Sequence, residues 1–327
     1  MKTFLFTLLF CGLTFGALAA APDGPQGIFD RLATENGVSE LRIAIDYDLL
    51  EANRRTEDYM PATLNDGDQS YELKVRVRGR FRRTQCAMPP LKIKFNKSQL
   101  LEQGLNRHND FKLVTHCVAG DAGQDYLLRE QLAYELYRTI AGEAAFRTEL
   151  FKVTYVNTVD GSTETSYAIL IEDTDDLEDR LSAKKPESLY GNSYTSFDNA
   201  EMVSLFQYMI GNLDYSLAQG RNVKLMQKDN GQITAVPYDF DFAGMVGTDY
   251  TRLRVDLGQR WAGERVWIWE FDQSAELDAA TDTYLALENQ LMQQVEDFDL
   301  LSAGSRNEIK SYLKNFYRDL KRGRVTK

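Results

Sequence analysis

The sequence is poor in the residues that most often bind metals or carry thiol chemistry, with three cysteines and two histidines in 327 residues. So few imidazoles and thiols exclude a His-rich zinc site and leave no pattern for a cysteine nucleophile. Proline is also scarce, at seven, and neither proline nor glycine gathers into a linker. No repeat or low-complexity tract divides the chain. Beyond the N-terminus no run is apolar enough to span a bilayer. Cations are outnumbered, 38 Lys and Arg against 49 Asp and Glu, for a net charge of -11. That balance disfavours nonspecific nucleic-acid binding, which works by neutralising phosphates.

The one long apolar run follows Lys2, from Phe4 to Leu18, ahead of Ala17-Leu18-Ala19 and a polar, proline-containing stretch. A positive start, a short apolar core and a small-x-small site form the layout of a secretory signal peptide. Residues 1–19 are therefore expected to be cleaved near Ala19, leaving a secreted or periplasmic protein. Cleavage removes Cys11 and leaves Cys86 and Cys117, an even pair that in an exported chain favours a disulfide over two buried thiols. About 308 residues then remain, enough for one large or two ordinary domains. Without a linker, a single unit over 20–327 is the economical reading.

Period-two alternation marks strands in the first third. Leu41 to Ile45 alternates, as do Tyr71, Leu73, Val75 and Val77, and then Leu91, Ile93 and Phe95. Asp110 to Cys117 reads as a mostly buried strand, with His116 packed in the core. Helical spacing appears at Leu128, Leu132, Leu136 and Ile140, with Gly142 as the stop. Hairpins are predicted around Asp160-Gly161 and Asn230-Gly231. Asn199 is placed to cap a helix carrying Met202, Leu205, Phe206 and Ile210. The stretch from Asp272 to Lys321 is amphipathic and helical. The order predicts an α+β protein with a β-rich part over about 20–172 and an α-rich part over about 173–327.

Three clusters carry candidate chemistry. The first is cationic: RVRGRFRR from Arg76 to Arg83, then LKIKF with Lys92 and Lys94. If the two strands pair, Arg76, Arg78, Lys92 and Lys94 converge on a face suited to phosphate oxygens. A solvated sheet face is the plainer alternative. The second cluster is GNLDYSLAQGRN, with Asp214 and, eight positions on, Asn222. The third is VPYDFDFAG, with Asp239 and Asp241. Carboxylates plus an amide oxygen are hard ligands, suited to Mg²⁺ or Mn²⁺. Asp, then Asn, then a hairpin, then Asp is the order that kinase phosphoryl-transfer sites require. The alternative is that Asp214 caps a turn while Asp239 and Asp241 pair with arginines.

The succession RVRGRFRR, PPLKIKF, DYLLREQLAYELYRTIAG, FKVTYVN, SYAILIED, MIGNLDYSLAQGRN and VPYDFDFAG, over about residues 70–246, resembles the CotH kinase family. The resemblance implies an atypical, two-lobed protein-kinase-like fold and ATP-dependent, or other nucleotide-dependent, phosphorylation of an envelope protein. It implies Asp214 as catalytic base, Asp239 as the main metal ligand, and Asp241 and Asn222 assisting. It also implies phosphate contacts from Lys92 and places Glu172 near an adenine-binding hinge. The chain departs from the family at Arg80-Phe81-Arg82-Arg83, where small residues are usual. Glu130 and Glu135 are both candidates for the helix glutamate, and Arg129 is expected to need a buried carboxylate. A noncatalytic envelope-binding module on the same fold is the main alternative. A carboxylate-pair hydrolase using Asp239 and Asp241 from one strand face is a more distant one.

Overall fold

The computed structural model describes residues 25–33, 37–188 and 193–326, so the expected signal peptide lies outside the described residues. The protein is α+β. A short helix α1 (Ile28–Leu32) precedes β1 (Ser39–Ile45), α2 (Tyr47–Ala52), β2 (Met60–Asn65) and β3 (Ser70–Val77). Then come α3 (Arg82–Gln85), β4 (Leu91–Phe95), α4 (Lys97–Glu102), β5 (Asp110–Thr115) and the long α5 (Gly120–Ala141). The hairpin β6 (Thr148–Asn157) and β7 (Thr163–Ile171) follows, then α6 (Thr174–Leu181), β8 (Ala183–Lys184) and α7 (Ala200–Ile210). The hairpin β9 (Val223–Lys228) and β10 (Ile233–Pro237) precedes the final helices α8 (Asp278–Asp297) and α9 (Ala303–Lys321).

Seven strands close into a barrel in the order β1-β2-β3-β4-β5-β7-β6. Closure comes from parallel pairing of β1 with β6, Ser39 opposite Phe151 through Ile45 opposite Asn157. Alternation sends Ile43, Ile45, Val75, Leu91, Ile93, Phe111 and Tyr155 into the barrel core, where α1 adds Ile28 and Phe29. A second core lies among α5, α7, α8, α9 and the small sheet β10-β9-β8. Strand β7 serves both: Ala168 and Leu170 face the barrel, Ile169 and Ile171 the helices. A strand buried on both faces reads as a continuous apolar run.

The predicted strands, hairpins and helix stops are realised, and α5 ends at Gly142 with φ 55°. Asn199 sits at the N-terminus of α7, but its amide bonds the backbone N–H and carbonyl of Ala235 instead of capping the helix. His116 is buried, with its ring nitrogen 2.8 Å from Glu164. Among the described residues Arg129 has no buried carboxylate partner: it pairs with the half-buried Asp125, at 2.6 Å one turn back, and the exposed Glu308 of α9, at 2.7 Å, because its guanidinium reaches out of the core. Cys86 and Cys117 form a disulfide. Among the described residues no helix is long and apolar enough to cross a membrane.

Candidate active site

Helix α7 stops at Gly211, in the left-handed region at φ 68°, where a Cβ would lie 2.0 Å from the Tyr312 hydroxyl. The chain then turns through Asn212, whose Nδ2 donates to Gln207 Oε1 at 2.9 Å while its Oδ1 accepts from Asp214 N–H at 3.0 Å. Reciprocal backbone bonds between Ser216 and Arg221, both 3.0 Å, close the loop that follows. They return the chain so that Asn222 Nδ2 donates to Asp214 O at 2.7 Å and to Asp214 Oδ2 at 3.0 Å. Asn222 sits at φ 51°, a left-handed conformation that Asn adopts more readily than most residues. Burial pushes the Asp214 carboxyl up, Arg221 opposes this and Asp239 adds to it. The eight-residue spacing between Asp214 and Asn222 is thus one hydrogen-bonded unit.

Pairing of β9 with β10 sets Val223 opposite Pro237, so the next step outward brings Tyr238 N–H to the Asn222 carbonyl at 3.0 Å. The strand ends there. Asp239 turns the chain at φ 66° and gives its N–H to the Tyr134 hydroxyl of α5 at 2.8 Å. Phe240 plugs the core against Tyr134 and Phe206. Asp239 and Asp241 therefore do not share a strand face, and the geometry considered for a carboxylate-pair hydrolase is not realised. Asp241 is 2 % exposed and faces inward.

The two carboxylates meet on Arg82, in the segment whose bulk departs from the CotH pattern. Arg82 Nη2 donates to Asp239 Oδ1, and Nε lies 3.0 Å from Asp241 Oδ2. Its guanidinium also reaches Glu130 of α5, at 3.3 and 3.4 Å. Glu130 is thus the helix glutamate with a cationic partner, and that partner is Arg82, whereas Lys92 pairs with Asp110 at 2.8 Å. Burial lifts both Glu130 and, far more, Asp241, while for Asp239 burial is outweighed by Arg82 and Arg78, which hold it below the ordinary carboxylate range.

Pairing of β3 with β4 and β5 lines Arg76, Lys92 and Lys112 in one row on the outer face, with Lys74, Lys94 and Asp110 in the next. The charge of Arg78, past the end of β3, acts on Asp239, on Lys112 and on Lys224 of β9. Lys112 lies between the Phe146 and Tyr238 rings, 4.9 and 5.8 Å from their centres, and donates to Thr174 Oγ1 at 3.1 Å. Burial, with Arg78 and Lys224 nearby, brings its amine down to about 7. Burial also lowers Lys224, followed by the charges of Lys185, Arg78 and Lys92. Lys112 and Lys224 thus converge on the Tyr238 ring, beside the Asp239 turn, with Arg78 acting electrostatically on both and Lys92 held by Asp110.

Two expected contributors stand apart. Lys94 lies one row further from the carboxylates, over the Tyr59 ring at 5.8 Å. Glu172 is fully enclosed and its carboxylate is taken up by Arg147 and Arg180, so its side chain has a structural role. Sequence reasoning missed Lys112 and Lys224. The only signal for Lys112 was a lysine inside the apolar run FKLV.

Among the described residues no three His, Cys, Asp or Glu side chains converge to hold a metal ion. A Mg²⁺ or Mn²⁺ bound beside phosphates needs fewer protein ligands, because phosphate oxygens and water complete its shell. By donor chemistry Asp239 and the amide oxygen of Asn222 suit that role, since Nδ2 of Asn222 is committed to Asp214 and Arg82 takes only Oδ1 of Asp239. Asp241 does not fit, being held behind Arg82. No protein-family model matches the chain, and no curated protein matches it.

Proposed function

We propose that this chain is an exported, kinase-like phosphotransferase that moves a phosphoryl group from a nucleotide such as ATP to a hydroxyl on a cell-envelope protein. The observation that carries the reading is that the Asp214–Asn222 unit is tied at 3.0 Å to Tyr238, the residue before Asp239, and that Lys112 and Lys224 lie 5.8 and 5.6 Å from the centre of the same Tyr238 ring. The resemblance to CotH kinases supports the same roles. In the two-lobed arrangement it implies, the barrel is the smaller lobe and the helices with β8–β10 the larger.

Asp214 is the base: it takes the proton of the acceptor hydroxyl as that oxygen bonds to the γ-phosphorus. The bond from phosphorus to the bridging oxygen breaks, and the nucleoside diphosphate leaves with the electron pair. Asn222 holds the Asp214 carboxylate in orientation through its amide. Arg78, Lys112 and Lys224 meet phosphate oxygens, and Lys92 adds charge behind them. Arg82 ties Asp239 to α5 through Glu130, a counterpart of the cation–glutamate pair that kinases require. Asp239 and Asn222 would hold Mg²⁺ or Mn²⁺, which when bound neutralises charge on the phosphate oxygens.

One observation favours the noncatalytic alternative: Arg82 already supplies a cation to both Asp239 and Asp241. The two readings separate in one experiment. Phosphotransfer predicts thermal stabilisation by ATP with Mg²⁺ or Mn²⁺, lost in Asp239→Ala, together with transfer of labelled phosphate to a hydroxyl-rich protein. Stabilisation without transfer supports a binding protein, and no stabilisation by any nucleoside triphosphate defeats the nucleotide reading.

A further inference from the structure

A pocket of about 280 Å³ opens at Asp214, lined also by Phe81, Leu213, Phe242, Arg252 and Arg254. We propose that it receives the phosphate acceptor, and that the acceptor is a hydroxyl-bearing protein segment flanked by acidic residues. This inference rests on the phosphotransfer reading and extends it to the substrate class.

The pocket's size suits one or two side chains and is small for an extended small-molecule ligand. Two aromatic rings line it, Phe81 and Phe242, backed by Tyr250 in a triangle with ring centres 5.5, 5.7 and 5.8 Å apart. Such a lining holds aliphatic or aromatic bulk and leaves a hydroxyl free to point at Asp214.

The rim is cationic. Arg254 is committed, to both oxygens of Asp256 and to the Leu213 carbonyl at 2.8 Å. Arg221 lies 3.6 Å from Asp214 and bonds the Tyr215 carbonyl. Arg252 is exposed, lies 5.2 Å above the Phe81 ring, and has no carboxylate partner among the described residues. Arg80, next to Phe81, is likewise exposed and unpaired among the described residues. The acidic groups here are already matched, Asp214 and Asp256 by Arg221 and Arg254 and the Asp239–Asp241 pair beneath by Arg82, so among the described residues the unpaired charges at the rim are those of Arg80 and Arg252. In a chain of net charge -11 that is a local inversion, and it complements an acidic partner. Leu253 and Val255, 45 % and 71 % exposed, interleave with Arg252 and Arg254 in a loop that leads into a 3-10 turn over Val255–Leu257. Alternating cation and aliphatic groups match an extended peptide carrying acidic and apolar residues.

The test measures fluorescence anisotropy with Asp214→Asn protein, which prevents turnover, and three serine peptides differing only in flanks: Asp/Glu, Gln, or Lys. The acidic peptide is expected to bind roughly tenfold tighter than the basic one, a gap that narrows in high salt. Arg252→Glu should erase that preference, whereas Arg318→Glu, on the solvent face of α9, should leave it intact. Equal binding of all three peptides, or a preference untouched by Arg252→Glu, overturns the inference. Nucleotide stabilisation on the same wild-type preparation tells the failures apart. If it persists, only the substrate class falls; if it is absent, the phosphotransfer reading falls and this inference falls with it.

Discussion

Arg82 and Glu130 form an enclosed, two-pronged ion pair, Nη2 to Oε1 at 3.3 Å and Nη1 to Oε2 at 3.4 Å. Because Arg82 also serves Asp239 and Asp241, one cation balances three carboxylates. Removing that cation leaves the carboxylates facing one another in a dry site. Arg82→Ala should therefore cost about 3–5 kcal/mol of stability. Glu130→Gln leaves the guanidinium two anionic partners and should cost only about 1 kcal/mol. Urea unfolding of the two variants checks the order, and an Arg82→Ala protein of unchanged midpoint would contradict the hub.

The Asp214–Asn222 contact makes a separate prediction about pH. The amide of Asn222 steadies the ionised form of Asp214, against the upward push of burial. The base role proposed for Asp214 requires its deprotonated form, so phosphotransfer should fall as pH drops through the pKa of Asp214 in the folded protein. Asn222→Ala removes a stabilising hydrogen bond, so the acidic limb of the rate profile should move to higher pH. Asp214→Asn should abolish transfer while keeping nucleotide stabilisation. An Asn222→Ala profile that falls uniformly, without a shift of that limb, would point to a lost metal ligand rather than a positioning amide.

Those residues explain what the sequence made legible. Asp214, Asn222 and Asp239 lie within 26 positions, 239 minus 214 plus one, and a local loop and hairpin bring them together. Local geometry of that kind is readable from turn residues and strand alternation. The barrel's closure is not, because β1 and β6 pair across 112 positions, from Ser39 to Phe151, and nothing local announces a parallel partner. Strand β2 is masked by Pro61, which lacks the N–H a ladder uses and argues against a strand. Glu130 lies off the apolar stripe of Leu128, Leu132 and Leu136 on α5. The helix is buried on a second side too, where Leu127, Glu130, Tyr134 and Tyr137 follow helical spacing. Asp241 was misplaced because β10 ends at Pro237 and the left-handed turn at Asp239 breaks the alternation.

The disulfide acts on the same hub. Cys86 ends α3, which carries Arg82, and its link to Cys117 ties that segment to the approach to α5. Arg54 adds a second latch through the carbonyls of Arg83, Cys86 and Ala87, at 2.9, 3.0 and 2.8 Å. For a bridge spanning 31 positions, chain entropy gives about 3–4 kcal/mol. The Cys86→Ser, Cys117→Ser double variant should lose that much stability, read from denaturant midpoints. It should also bind nucleotide more weakly than the oxidised wild type. Denatured, unreduced protein should show neither Cys86 nor Cys117 as a free thiol.

Lys112 supplies the sharpest pH signature. Its amine sits near 7 in the folded protein against an ordinary 10.5, through burial and then the charges of Arg78 and Lys224, with Asp173 opposing and Lys92 adding. Between those two values the unfolded chain binds the proton and the folded chain does not, so this group makes stability rise with pH across the window. Below about 7 both states are protonated, the slope vanishes and the buried charge exerts its full cost. Lys112→Met should thus stabilise the protein most below pH 7, with the gain shrinking as pH climbs toward 10.5. Anion binding must show the opposite benefit of the same charge. Pyrophosphate should bind the wild type more tightly as pH falls through about 7, and Lys112→Met should flatten that dependence. Taking the difference between the two proteins cancels to first order the titration of Lys224, which burial also lowers. A pyrophosphate affinity whose pH dependence is the same in both proteins would remove Lys112 from the phosphate face, leaving Arg78 and Lys224 to carry it.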